Sequence, residues 1–233
     1  MAIYLTGDTH RDFGRIAQFC EEYETTKDDI LIILGDAGIN IYGFVKDRVI
    51  KNYLAEKPIT IFCIHGNHEE RPYLMGDYEE VEWHGGIAYM EADYPNLIFA
   101  KDGEIYDFNG KKAIAIGGAY SIDKYYRLAH NLPWFESEQA DEATMAYVEA
   151  QLDKCDWKVD YVLSHTVPIE YEPTWAFIPG IDQSRVDKTM EKWLQRIAEN
   201  LEFERWYAGH YHVESDEDGV RIMFEDYEEL DED

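Results

Sequence analysis

The chain has 233 residues, with 21 Lys and Arg against 49 Asp and Glu, a formal net charge of -28. That charge repels polyanions at long range, and long DNA or RNA is a poor partner because such binding draws on basic patches that displace counterions. A hydrophobic fraction of 45% and a charged fraction of 30% are those of a globular protein of one to two domains. In chain order, short apolar runs stand out at AIYLT (2–6), ILIIL (30–34) and ITIFCI (59–64). The middle, 81–117, differs: turns are expected at Gly85-Gly86, Asp102-Gly103 and Asn109-Gly110, the last inside the hairpin pattern IYDF-NG-KKAIAI. KAIAI (112–116) is the next run. A helix is expected over 138–153, with Ala143, Ala146, Tyr147, Ala150 and Leu152 near one face. DYVLS (160–164) follows. Then comes a helix over 183–200, carrying Val186, Met190, Trp193, Leu194 and Ile197, and finally RWYA (205–208). Nearly continuous apolar runs are how strands buried on both faces read, and their alternation with helices predicts an α/β fold. Residues 1–224 are expected to form one domain. The acidic stretch 225–233 (EDYEELDED) reads as a solvated tail.

Cys20, Cys63 and Cys155 form no C-x-x-C pair and are odd in number, so free buried thiols are expected rather than disulfides or structural zinc. MAIYLTGD lacks a basic region followed by an apolar run, and no stretch reaches the roughly 18 apolar residues that span a membrane. A reducing, cytoplasmic setting is the expectation. Oligomeric state has no sequence signal.

The residues after the strands carry the chemistry. AIYLT runs into Gly7-Asp8-Thr9-His10, and ILIIL into Gly35-Asp36. ITIFCI runs into His65-Gly66-Asn67-His68-Glu69, DYVLS into His165, and RWYA into Gly209-His210-Tyr211-His212. Six of the eight histidines lie in these five junctions. Ligands bind outside the carboxyl ends of strands in α/β sheets, and glycine lets the chain turn sharply or approach closely there. Carboxylate, imidazole and amide oxygen without thiolate suit Mn, Fe, Zn or Mg. Asp8 and His10, two apart on an extended segment, should point to one side, and His210 and His212 should repeat that geometry. With Asp36, Asn67 and His165 this gives seven donors, about right for two metals sharing a carboxylate.

The ordered set GDTH, GD, GNHE, a strand-terminal His and GHYH resembles the calcineurin-like metallophosphoesterase superfamily over residues 7–212. The resemblance implies two mixed β-sheets packed face to face and flanked by helices, a four-layer α/β/β/α sandwich. It implies that Asp8, His10 and His212 hold one divalent cation, that Asn67, His165 and His210 hold the other, and that Asp36 bridges them. Mn is the expected metal, with Fe, Zn or Mg as alternatives. The expected activity is hydrolysis of a small phosphomonoester or phosphodiester, with His68 acting on the leaving group or a phosphate oxygen.

Departures narrow the class. Ser/Thr protein phosphatases of the superfamily carry Asp and Arg where this chain has Ile39 and Asn40, and Arg where it has His65. The usual carboxylate partner of His68 is missing with them. The segment Ile116–Arg127 and the sequence Ser164-His165-Thr166-Val167-Pro168 are similar to segments of RNA lariat-debranching enzymes. They single out Arg127 and Tyr120 as substrate contacts, Arg127 because a guanidinium grips phosphate with two donors. Alternatives are a nuclease-like diesterase acting on short single strands and a catalytically weak metal- or nucleotide-binding protein. His84 and His130 read as surface or loop residues, and Pro133-Trp134-Phe135 as a loop over the site.

Overall fold

The computed structural model describes residues 1–230. The predicted runs form β1 (Ile3–Thr6), β2 (Ile30–Ile33), β3 (Thr60–Cys63), β8 (Lys111–Ile116), β9 (Tyr161–Ser164) and β10 (Arg205–Ala208). The middle of the chain adds β4 (Glu79–Trp83), β5 (Gly86–Met90), β6 (Leu97–Ala100) and β7 (Ile105–Phe108). The end adds β11 (Ser215–Glu217), β12 (Val220–Ile222) and β13 (Tyr227–Glu229). Helices are α1 (Phe13–Glu22), α2 (Phe44–Ala55), α3 (Lys124–Ala129), α4 (Glu142–Lys154) and α5 (Thr189–Ala198). None is long and apolar enough to cross a membrane among the described residues.

One sheet has the order β13-β1-β2-β3-β6-β5-β4, the other β11-β12-β10-β9-β8-β7. Strands β1, β2, β3 and β6 run parallel, as do β8, β9, β10 and β12. The remaining strands pair antiparallel at the edges, so both sheets are mixed.

The continuous apolar runs follow from this layering, because successive side chains point to opposite faces of a strand. Ile3, Leu5, Ile30, Ile32 and Phe62 meet Ala113, Ala115, Tyr161, Leu163 and Tyr207 in the core between the sheets. Tyr4, Leu31, Ile33, Ile61 and Cys63 face outward and pack with Phe13, Ile16 and Phe19 of α1 and Leu54 of α2. Ile114, Ile116, Val162, Trp206 and Ala208 face the opposite way, under α4 and α5. Small Ala113 and Ala115 leave room for Phe62, Tyr106 and Phe108, whose rings contact edge to face with centroids 4.9 and 5.9 Å apart.

Three expectations are corrected. The first concerns α4, which buries Val148 and Leu152 with Met145 against them, while Ala143, Ala146 and Ala150 are exposed. Larger side chains gain more from burial than methyls, so they set the buried row. The second is the turn placed at Gly85-Gly86, which is His84-Gly85, with φ of 48° and 82°, since Gly86 already pairs with Trp83. The Asn109-Gly110 turn has φ of 54° and 91°, as a hairpin of this type requires.

The third is the solvated tail from Glu225. Residues Tyr227–Glu229 form β13 beside β1, and Leu230 is buried in the core between the sheets. The acids are accommodated at the sheet edge, where Tyr207 Oη donates to Glu228 at 3.0 Å. Residues 231–233 lie outside the described residues. Leu230→Ala should therefore destabilise the protein by about 2–4 kcal/mol. A urea-unfolding midpoint identical to that of the parent would mean that the segment contributes nothing to the fold.

Candidate metal centre

Five parallel strands, three in one sheet and two in the other, end at a common edge. Asp8, Asp36 and Asn67 follow β1, β2 and β3 of one sheet; His165 and His210 follow β9 and β10 of the other. The junction glycines mostly make room rather than turn the chain. A Cβ on Gly66 would stand 2.1 Å from both the amide nitrogen and Oδ1 of Asp36, and one on Gly35 would stand 2.1 Å from His165 Nδ1. Each loop is thus threaded through space that a side chain on its neighbour would occupy.

The seven expected donors converge in two groups. In one, His10 Nε2 lies 2.7 Å from His212 Nε2, while Asp8 Oδ2 lies 3.1 Å from His212 Nε2 and 3.4 Å from His10 Nε2. In the other, His165 Nε2 lies 2.8 Å from Asn67 Oδ1 and 3.8 Å from Asp36 Oδ1, and the His210 ring packs 5.0 Å from that of His165. Asp36 faces both, since its Oδ2 is 3.8 Å from His10 Nδ1. The pairs spaced two apart are not on extended backbone, however. His10, His210 and His212 have φ of 44°, 69° and 54°, and the turn sends His210 and His212 to different groups rather than to one side. Positive φ at non-glycine residues concentrates where a site over-determines the backbone.

The donor contacts test whether a cation fits. His165 Nδ1 donates to Leu34 O at 2.8 Å, and Asn67 Nδ2 donates to Ser121 Oγ at 2.9 Å. His165 Nε2 therefore faces a carbonyl oxygen, so a proton or a cation must satisfy both lone pairs. The Nε2 atoms of His10 and His212 also face each other, an arrangement that a cation or the Nε2–H of one ring satisfies. Among the described residues, the ligand atoms of Asp8, His10 and His212 come together in one group and those of Asp8, Asp36 and His165 in another, donor sets that fit divalent cations, while His210 is in neither group.

Buried charge shapes the surroundings. Asp8 and Asp36 are each 2% exposed. Burial alone would raise the Asp8 carboxyl, but His165 and hydrogen bonds with His10 and His212 outweigh it and hold Asp8 well below the usual range. Burial, with His165 adding to it, lowers His210 well below its ordinary value, which favours the neutral imidazole that a metal needs. Burial and then Asp36 push Glu69 up to about 7.

Several supporting residues escaped the sequence. Glu69 accepts from the amides of Gly66 (3.1 Å) and Gly38 (3.2 Å), tying the loops after β3 and β2 together. Ser121 orients Asn67, and Glu138 accepts from the Ser121 amide (3.3 Å) and from Trp134 Nε1 (2.7 Å). The Glu of GNHE was the one available signal; Ser121 and Glu138 had none. Ile39 and Asn40 are buried, Asn40 accepting from Tyr78 Oη at 2.9 Å, so neither faces a substrate. Arg127 comes instead from α3. Its Nη2 lies 3.4 Å from His68 Nε2, its Nε donates to Asp123 at 2.7 Å, and its Nη1 donates to Pro133 O at 3.2 Å. The loop with Pro133 and Trp134 braces α3 rather than covering the donors. Burial, opposed by Asp36, lowers His68. Tyr120 and His68 line one cavity with Asp36, Asn67, His210 and His212. His130 is exposed and partly exposed His84 sits in its hairpin, apart from the donors.

The fold is a two-sheet α/β sandwich with carboxylate, imidazole and amide side chains gathered at its strand ends. The sequence matches the calcineurin-like phosphoesterases over residues 1–214, and the chain belongs to that family. No curated protein matches it. Among solved structures, phosphopantetheinyl hydrolase from Mycobacterium tuberculosis is similar at a TM-score of 0.48 and 15% identity, over 96% of this chain and 88% of that one.

Two substitutions probe the centre. Gly66→Ala should abolish metal uptake measured by equilibrium dialysis, because the methyl displaces Asp36. Ser121→Ala should leave the fold intact and weaken metal binding about tenfold, the usual loss when a group orienting a ligand is removed. Unchanged affinity in both proteins would show that these donors do not hold metal.

Proposed function

We propose that the protein hydrolyses a small phosphate ester with two divalent cations. Asp8, His10 and His212 would hold one, Asn67, His165 and His210 the other, with Asp36 shared between them. The observation that carries this is the 2.8 Å contact between His165 Nε2 and Asn67 Oδ1, whose partner atoms are both already committed elsewhere. Mn is the expected ion, and the donor set also suits Fe, Zn or Mg. When bound, the pair supplies Lewis acidity toward phosphoryl oxygens and lowers the pKa of water.

The chain's own residues supply the rest. Arg127 is the contact for phosphate, held by Asp123 and Pro133 with its Nη2 turned toward the site. His68 is the group for the leaving oxygen, with Nε2 3.9 Å from Asp36 Oδ2 and its backbone amide fixed on Asp36 Oδ1 at 2.8 Å. Tyr120, which lines the same cavity as Asp36, Asn67, His210 and His212, is the second substrate contact. The net charge of -28 disfavours a long nucleic acid.

Hydrolysis of bis(p-nitrophenyl) phosphate beside p-nitrophenyl phosphate tests the proposal, with added Mn, with chelator, and with Asp36→Asn. Turnover that chelator and the substitution both abolish is the expected result, and the faster ester separates diesterase from monoesterase. Two bound metals without turnover of any phosphate ester would make the protein a binding protein instead. His68→Ala should retain its metal and lose about 10²–10⁴-fold in kcat, the usual contribution of a positioned proton donor. Full turnover in that variant would remove His68 from the chemistry.

A further inference from the structure

Beside the metal-ligand candidates lies a chamber of about 320 Å³. Asp36, Asn67, His68, His210 and His212 are part of its lining. Phe177, Ile178, Ile181 and Val186, from the segment between β9 and α5, line it too, with Tyr120 and Ile122 from the segment after β8. Ile122, Ile178 and Ile181 are 45%, 59% and 38% exposed. A substrate entering between them would take a sizeable apolar surface out of water.

Two charged groups of these walls are already paired. Lys188 is bound to Glu172, and Asp123 to Arg127. The chamber wall thus offers no unpaired cation to a second phosphate or carboxylate among the described residues. Its volume is at the small end for ligand sites, roughly 300–1,000 Å³. That suits a ligand of one ring system.

One polar group in the wall is unsatisfied. Glu191 is 2% exposed, and its Oε1 accepts from Thr166 Oγ1 at 2.9 Å. Its Oε2 has no partner. The hydroxyl of Tyr211, which could have filled that role, donates to Glu172 at 3.2 Å and contacts Thr166 instead. A buried acceptor left open beside a ligand site is a place where a ligand donor is worth most.

We propose that the chamber is a leaving-group site for the ester of a compact, uncharged, aryl-sized alcohol, and that Glu191 Oε2 accepts a hydrogen bond from an N–H or O–H on that group. This rests on the phosphoesterase reading of the neighbouring centre. It assigns Phe177, Ile181 and Glu191 to substrate selection, and gives the segment between β9 and α5 a function separate from metal binding.

The Mn-loaded protein is assayed with methyl phosphate, 4-ethylphenyl phosphate and 3- and 4-(hydroxymethyl)phenyl phosphate. The aryl esters share size and differ in the donor. Aryl esters should exceed methyl phosphate in kcat/KM, and at least one hydroxymethyl ester should exceed the ethyl ester roughly tenfold. Ile181→Ala should lower the aryl-to-methyl ratio about tenfold. Glu191→Gln should change the hydroxymethyl-to-ethyl ratio while leaving the ethyl-to-methyl ratio alone. Equal kcat/KM for all four esters, or ratios untouched by both substitutions, would overturn the proposal. If no ester is hydrolysed, calorimetric binding of the free hydroxymethylphenols decides. Binding weakened by Ile181→Ala upholds the chamber while the hydrolase reading falls, and no binding refutes the chamber as well.

Discussion

Two carboxylates, Asp8 and Asp36, are buried side by side at the ends of β1 and β2, with Glu69 behind them. Burying so much negative charge is unfavourable unless it is met by hydrogen bonds and opposite charge. Much of the local structure answers that demand. The amide of His210 donates to Asp8 Oδ1 at 2.7 Å, and the amide of His68 to Asp36 Oδ1 at 2.8 Å. Those bonds require the loops after β10 and β3 to reach across to the ends of β1 and β2. Around these bonds, His10, Asp36, His210 and His212, in the loops after β1, β2 and β10, all take left-handed backbone conformations.

Strain of that kind persists only where the surroundings over-determine it. Here the two sheets do so. Asp8 and Asp36 come from one sheet and His165 and His210 from the other, so the centre exists only while the core between the sheets holds both edges together. Arg15 reinforces this from outside, donating to the carbonyls of Gly7 and Asp8 and to those of Phe224 and Glu225. The close approach at Gly35 and Gly66 is the same constraint seen from the backbone: the loops must pass through each other's side-chain space.

Much of this was legible in the sequence, for a physical reason. A strand buried on both faces has no polar side to show, so ILII and YVLS read as strands once helices lay between them, and the candidate ligands followed them directly. What was hidden required knowing neighbours. The buried row of α4 depends on which side chains reach the sheet. β13 is written in acids because its strand lies at an edge, and only Tyr227 and Leu230 mark it as structural. The His-x-His pair after β10 looks extended by spacing, but its turn is set by the bond from His210 to Asp8, 202 residues away. Ser121, Glu138 and Glu191 act through tertiary hydrogen bonds that have no local signature.

The candidate donors and the proposed substrate contacts stand on different kinds of structure. Every donor sits within a few residues of a sheet strand, where the backbone is held on both sides. Arg127, Tyr120, Phe177 and Ile181 sit on the segments after β8 and after β9, built of short helical turns and a six-residue helix. Rigid elements suit groups that must hold an ion to a few tenths of an ångström, while loops tolerate the changes by which specificity is altered. Asn40, after β2, is buried and bonded to Tyr78, whereas Arg127 comes from α3 and is braced by Asp123 and Pro133. A change of substrate in this fold would then be written in residues 117–138 and 169–188, with the strand ends left as they are.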